Sequence, residues 1–123
     1  MKANQVPLVL MVSSTECPYC ERLKEEFFHP MLKHGPTAST LNFKELLIDL
    51  SRELTDFAGD TTDEDELATR YDATLTPTVL FLGPHGVELA ERMVGVPNFD
   101  FYPWYFEQRL EQATERLRHA LGN

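Results

Sequence analysis

The segment Val6 to Val12 reads VPLVLMV, a short uninterrupted apolar run bounded by polar residues. Such a run has the length of a strand buried on both faces, the kind found in the centre of a sheet with helices above and below. A second strongly apolar strand is read at Thr78 to Leu82, TVLFL. What lies between and after these two runs decides the fold class.

After Ser13-Ser14-Thr15-Glu16 ends the first run, Leu23, Phe27, Met31 and Leu32 recur at three- and four-residue spacing among charged residues. That periodicity predicts an amphipathic helix from Pro18 to about His34, bent or split at Pro30 and ended by His34-Gly35-Pro36. The apolar side chains of Lys44 to Leu50 predict another strand. The stretch Ser51 to Asp63, rich in Asp and Thr, reads as a solvated connection. Asp63 or Thr62 is placed to cap a helix reaching about Tyr71, with Leu67, Ala68 and Tyr71 inward.

Gly83-Pro84-His85-Gly86 is a turn, and Val87 to Val94 predicts a strand returning beside the second apolar run, near a sheet edge because its alternation is imperfect. Pro97-Asn98 and Asp100 open a last helix, whose stripe is Phe106, Leu110, Ala113, Leu117 and Leu121. Phe99, Phe101, Trp104 and Tyr105 cluster at its start and read as core side chains, with a partner or dimer patch as the alternative. The order is strand, helix, strand, helix, strand, strand, helix. A helix after each of the first two strands predicts right-handed parallel crossovers, and the tight turn predicts an antiparallel hairpin. The expected architecture is α/β: a four-stranded mixed sheet with helices on both faces, in one domain over residues 1–123.

Composition bounds the function. The chain of 123 residues carries 20 acidic and 11 basic side chains, for a formal charge of -9. That charge repels phosphate backbones and anionic membranes, so nucleic acid is an unfavoured ligand and a basic or apolar peptide segment a more comfortable one. No apolar run reaches the roughly 18 to 20 residues that cross a bilayer. The expectation is a chain without membrane insertion, monomeric or weakly dimeric; a signal peptide removed earlier would leave no trace.

Only two cysteines are present, Cys17 and Cys20. They cannot build a dispersed framework of structural bridges. Cys17 sits where the first helix begins, facing backbone N–H groups that stabilise a thiolate. Cys20, one turn later, is within reach of a mixed disulfide formed at Cys17. Pro18 suits the first helical turn because its missing N–H has no partner to lose there, and Tyr19 adds an aromatic surface. A fortuitous buried pair or half a metal site are the alternatives, although there is no second cysteine pair, and the histidines are His29, His34, His85 and His119. Thr76-Pro77 precedes the second apolar run; Pro77 is either an ordinary trans proline at a strand start or a cis proline presenting the backbone of Thr76.

Cys17-Pro18-Tyr19-Cys20 after an apolar strand, Thr76-Pro77 before another, and Gly95 after the return strand together resemble the thioredoxin superfamily. The resemblance spans Val6 to Leu121. It implies a thioredoxin-like fold, a cis Pro77, an exposed nucleophile at Cys17, a more buried resolving cysteine at Cys20, and substrate contacts at Pro18, Tyr19, Thr76, Pro77 and Gly95. The chain departs from ordinary thioredoxin at Glu16, where tryptophan is usual, at Pro18-Tyr19, and at Met11, where the family has a buried aspartate. Glu16 is thereby a candidate proton relay, with solvent as the alternative.

Cys-Pro-Tyr-Cys is also the glutaredoxin motif, but Val96-Pro97-Asn98 stands where glutaredoxins have a late Gly-Asp pair. The pattern resembles most the periplasmic thioredoxin-related proteins of bacterial sulfur-oxidation clusters, the SoxW and SoxS types. The implied function is reduction of protein disulfides, with a separate thiol electron donor and no cofactor or metal. A glutathione-dependent enzyme and a thiol metallochaperone or interaction module are the alternatives. The implied location is periplasmic, with the cytoplasm as the other possibility.

Overall fold

A computed structural model describes residues 6–120. Leu121 of the expected helical stripe lies outside the described residues. Strand β1 (Leu8–Ser13) sits in a four-stranded sheet with β2 (Asn42–Leu47), β5 (Thr78–Leu82) and β6 (Met93–Val94), in the order β2-β1-β5-β6. The two apolar runs are the two central strands, as their lack of a polar face requires. They pair with each other in antiparallel register, Leu8 opposite Leu82 and Val12 opposite Thr78.

This pairing corrects one expectation. The β1-β2 connection is parallel, Leu8 opposite Asn42 and Ser13 opposite Leu47. The helix after β2 does not make a second parallel crossover, because β5 enters on the other side of β1 and runs against it. The return segment is also shorter than the expected Val87 to Val94. It touches β5 at the bridge Leu82 to Glu88, bulges away, and pairs again only at Met93 and Val94. It forms the sheet edge.

Side chains alternate between two cores. Val9, Met11, Val79 and Phe81 face one cluster together with Cys17, Cys20, Leu23 and Phe28 from the first helix. Tyr102, Phe106, Leu110, Ala113 and Leu117 of α4 (Tyr102–Ala120) join that cluster. Leu10, Val12, Leu80 and Leu82 face the other, against Leu67 and Ala68 of α3 (Glu64–Arg70). Helices therefore cover both faces.

The first helical segment is α1 (Pro18–Leu23), a π turn (Lys24–Phe28) and α2 (His29–His34). Pro30 has no N–H, and its ring crowds the carbonyl of the preceding turn. The π turn absorbs that conflict by widening the helix, with the His29 N–H donating to the Lys24 carbonyl. The extra residue rotates the inward face: Phe28, outside the periodic set read from sequence, is fully buried, and Phe27 is half-buried. Phe28 packs edge-on against Tyr102 and Phe106.

The stretch Ser51 to Asp63 is not a plain connection. It contains an antiparallel pair, β3 (Glu53–Thr55) and β4 (Thr61–Asp63). Asp56 closes its turn, its carboxylate accepting from the backbone N–H groups of Ala58 and Asp60. Asp63 then caps α3 by accepting from the Glu66 N–H at 2.8 Å.

Candidate active site

The end of β1, the start of β5 and the segment after β6 converge at one end of the sheet. Val12 lies opposite Thr78, and Thr78 lies opposite Val94. Pro77 is therefore beside the strand end that leads into Cys17, and the Gly95 N–H donates to the Pro77 carbonyl at 2.7 Å. The Thr76-Pro77 peptide bond is cis. Gly95 has φ of +68°, and a Cβ there would meet nothing within 4 Å. Its backbone angle, rather than crowding, is what favours glycine.

Cys17 is the N-cap of α1, and Pro18 lies in the first turn. Cys17 and Cys20 are joined as a disulfide. The Cys20 N–H points at Cys17 Sγ, 3.2 Å away. A thiolate at that sulfur would accept from the same donor, at the positive end of the helical segment. Cys20 is wholly buried, whereas Cys17 retains 7% exposure. Of the pair only Cys17 reaches the surface, though more narrowly than an exposed nucleophile implies, because it shares the packed cluster under α1.

Tyr19 stands 62% exposed. Its ring stacks on Phe99 with centroids 6.2 Å apart, and the Arg22 guanidinium lies 3.8 Å from the centre of the same Phe99 ring. The segment after Gly95 is thus pinned to the cysteine motif by an aromatic and a cation–π contact. The sequence reading missed this role for Phe99 and Arg22; aromatic character before a helix start was its only signal. Thr76 is half-buried, and Leu75 before it is exposed.

Met11 is fully buried in the cysteine cluster. Glu16 is exposed beside Cys17 in the chain. A second carboxylate escaped the sequence reading: Glu45, opposite Met11 in the β1-β2 register. It accepts from the buried Ser13 hydroxyl and pairs with Lys24 at 3.0 Å. Burial works against the Lys24 charge, but hydrogen bonds from its ammonium to Glu21 and Glu45 outweigh it and raise its pKa above 10.5.

Three of the four aromatics expected in the core are on the surface. Phe101, Trp104 and Tyr105 are exposed and Phe99 is half-buried. The helix starts at Tyr102, after an Asn98 turn whose side chain accepts from the Asp100 and Phe101 N–H groups. That start gives the inward positions to Tyr102 and Phe106 and turns their neighbours outward.

The profile of thioredoxin-like domains matches residues 1–113. No curated protein matches the chain. Among solved structures, the periplasmic thioredoxin SoxS from Paracoccus pantotrophus is 20% identical, covering 87% of this chain and 98% of its own, with a TM-score of 0.59. A thioredoxin-fold protein from Helicobacter pylori is 18% identical over 99% of this chain and 88% of its own, also at 0.59. Thioredoxin O2 from Arabidopsis thaliana, in its oxidised state, is 16% identical over 86% and 76%, again at 0.59. At these identities the likeness to solved structures carries the fold, and the family match carries more. The chain belongs to the thioredoxin-like domain family, and its Cys-Xaa-Xaa-Cys pair makes it a thiol-disulfide oxidoreductase.

Proposed function

We propose that the protein reduces disulfides in partner proteins by dithiol exchange, with Cys17 attacking and Cys20 resolving. The observation that carries this assignment is the asymmetry of the pair: only Cys17 has exposed surface, and the Cys20 N–H is aimed at its sulfur. In the dithiol form the Cys17 thiolate attacks one sulfur of a substrate disulfide. A Cys17–substrate disulfide forms as the substrate bond breaks, and the other substrate sulfur leaves as a thiolate.

Cys20 then gives up its proton and attacks Cys17 Sγ. The Cys17–Cys20 disulfide forms and the second substrate thiolate is released, so two electrons have passed to the substrate. A separate thiol donor restores the dithiol. With Met11 in the cluster and the Glu45 carboxylate held by Ser13 and Lys24, the Cys20 proton passes outward, to solvent or to the exposed Glu16. In this reading the substrate segment rests on Pro18, Tyr19, Thr76 and Gly95, while Pro77 is buried and holds Gly95 through its carbonyl. A periplasmic setting is part of this proposal, supported by the fold likeness to a periplasmic thioredoxin; cell fractionation checks it.

The test of the mechanism is a pair of variants. Cys17→Ser is expected to abolish disulfide reduction. Cys20→Ser is expected to accumulate a mixed disulfide with substrate that a reductant releases. Equal trapping by both variants, or trapping by Cys17→Ser alone, would overturn the division of roles between the two cysteines.

A further inference from the structure

A groove of about 450 Å³ opens between the β6 edge and α4. Met93, Val94, Gly95, Tyr102, Tyr105 and Arg109 are among the residues that line it. It begins where the cysteine site ends: Gly95 holds the Pro77 carbonyl on one side and lines this groove on the other. The following segment does the same, with Pro97 and Asn98 in the groove wall and Phe99 against Tyr19.

Two buried hydrogen-bonding atoms among its lining residues have no partner among the described residues: Tyr102 Oη and Arg109 Nε. Tyr102 is only 2% exposed, and burial pushes its hydroxyl pKa up, so it stays a neutral donor. Buried donors are nearly always satisfied, and an unmet one costs free energy that a suitable acceptor recovers. Arg109 is also poorly neutralised. Its single ion pair among the described residues runs from Nη2 to Glu91 at 3.3 Å, and Glu91 is 76% exposed, where such pairs contribute little. Nε and Nη2 together form one edge of the guanidinium fork, the edge that receives a carboxylate in two parallel bonds.

We infer that this groove is a substrate subsite for a carboxylate: an acidic side chain in the partner segment that flanks the disulfide being reduced. The Arg109 edge binds the carboxylate, with Glu91 displaced into solvent, and the Tyr102 hydroxyl donates to the same group. Met93, Val94 and Tyr105 cover the apolar stem. The site selects an acidic residue locally in spite of the chain's overall negative charge, because the Arg109 charge acts at short range whereas the net field is screened by salt. This subsite rests on the dithiol-exchange reading, and its test separates the two.

The test uses disulfide-linked model peptides in which Glu is placed at successive positions flanking the cysteine, each matched by a Gln counterpart. At one position the Glu peptide is expected to exceed its Gln partner in kcat/KM by about fivefold or more, the scale of a charge-assisted pair of hydrogen bonds. Arg109→Gln and Tyr102→Phe should each bring that ratio towards one. Equal turnover of Glu and Gln peptides at every position would overturn the subsite. Hydroxyethyl disulfide, too small to span both places, reports on the cysteines alone. Its turnover without any Glu preference removes only the subsite, and no turnover of any disulfide removes the dithiol-exchange reading. A readout that needs no variant is the Arg109 Nε–H resonance of the oxidised protein titrated with a cysteine-free Glu peptide. Saturable movement, absent with the Gln peptide, supports the subsite; no movement overturns it.

Discussion

Phe99 joins two parts of the site that are far apart in the chain, receiving the Tyr19 ring and the Arg22 guanidinium on the same aromatic side chain. It therefore ties the cysteine helix to the segment that carries Gly95. Phe99→Ala is expected to cost about 1–3 kcal/mol in urea unfolding, from lost ring burial and the cation–π contact. It should also speed attack of dithiothreitol on the Cys17–Cys20 disulfide, because Tyr19 loses the surface that holds it beside the motif. Unchanged reduction kinetics would show that Phe99 does not restrict access to Cys17. The cysteine pair is legible in sequence because its chemistry is local: two residues between the cysteines and a helix start. Phe99, Arg109 and Tyr102 are not, since each acquires its role from a segment remote in the chain. No periodicity reports an unmet hydrogen bond.

At the level of elements, Glu64 does for the second face what packing alone cannot. Its carboxylate accepts from the backbone N–H groups of Leu47 and Arg52, at 2.9 and 2.8 Å, and from the Arg52 guanidinium at 2.8 and 2.9 Å. One buried side chain at the head of α3 thus ties together the end of β2, the entry to β3 and the helix. Glu64→Gln keeps the shape and removes the charge, leaving an amide N–H₂ facing donors. A loss of about 2–4 kcal/mol is expected in denaturant unfolding, as for a buried pair with one partner neutralised. A change under about 0.5 kcal/mol, the scatter of an ordinary surface substitution, would mean that the latch carries no stability. The hairpin formed by β3 and β4 reads in sequence as a solvated connection, because each strand has three residues and little apolar alternation. Its order comes from Asp56, Arg70 and Glu64, with Leu54 packed against the core, rather than from an alternating hydrophobic pattern. The π turn escapes sequence for a related reason: Pro30 announces a disturbance, and only packing decides whether the helix breaks or widens. The partner of β5 is equally out of reach, since two apolar runs show that both strands are central and not which way they run.

For the whole molecule, the acidic surplus makes stability depend on pH, and the direction follows from where each carboxylate sits. The Arg52 guanidinium beside Glu64, helped by two backbone N–H groups and opposed by burial, lowers its pKa from 4.5 to about 2. Asp49 is lowered by hydrogen bonds from Thr15, Asp56 chiefly by Arg70, and Glu66 by Thr62 and Arg70. A carboxylate whose pKa is depressed by folding stabilises the native state fully above its unfolded value. That contribution disappears as pH falls through the folded value. For Glu64 the window is pH 4.5 down to about 2. Its size is at most about 3 kcal/mol, and less once screening at Arg52, which is 59% exposed, is allowed for. The raised Lys24 pKa acts with the opposite sign: its contribution is complete below 10.5 and is lost as pH rises through the folded value. The oxidised protein should therefore keep a level thermal midpoint across the neutral range, fall steeply below pH 4.5 and weaken again above 10.5. Glu64→Gln, having no proton to take up, should begin with a lower midpoint and show a shallower acid slope. Calorimetry of both proteins from about pH 2 to neutrality reads the difference. Parallel acid slopes would place the sensitivity in the surface carboxylates and not in the latch beneath β2.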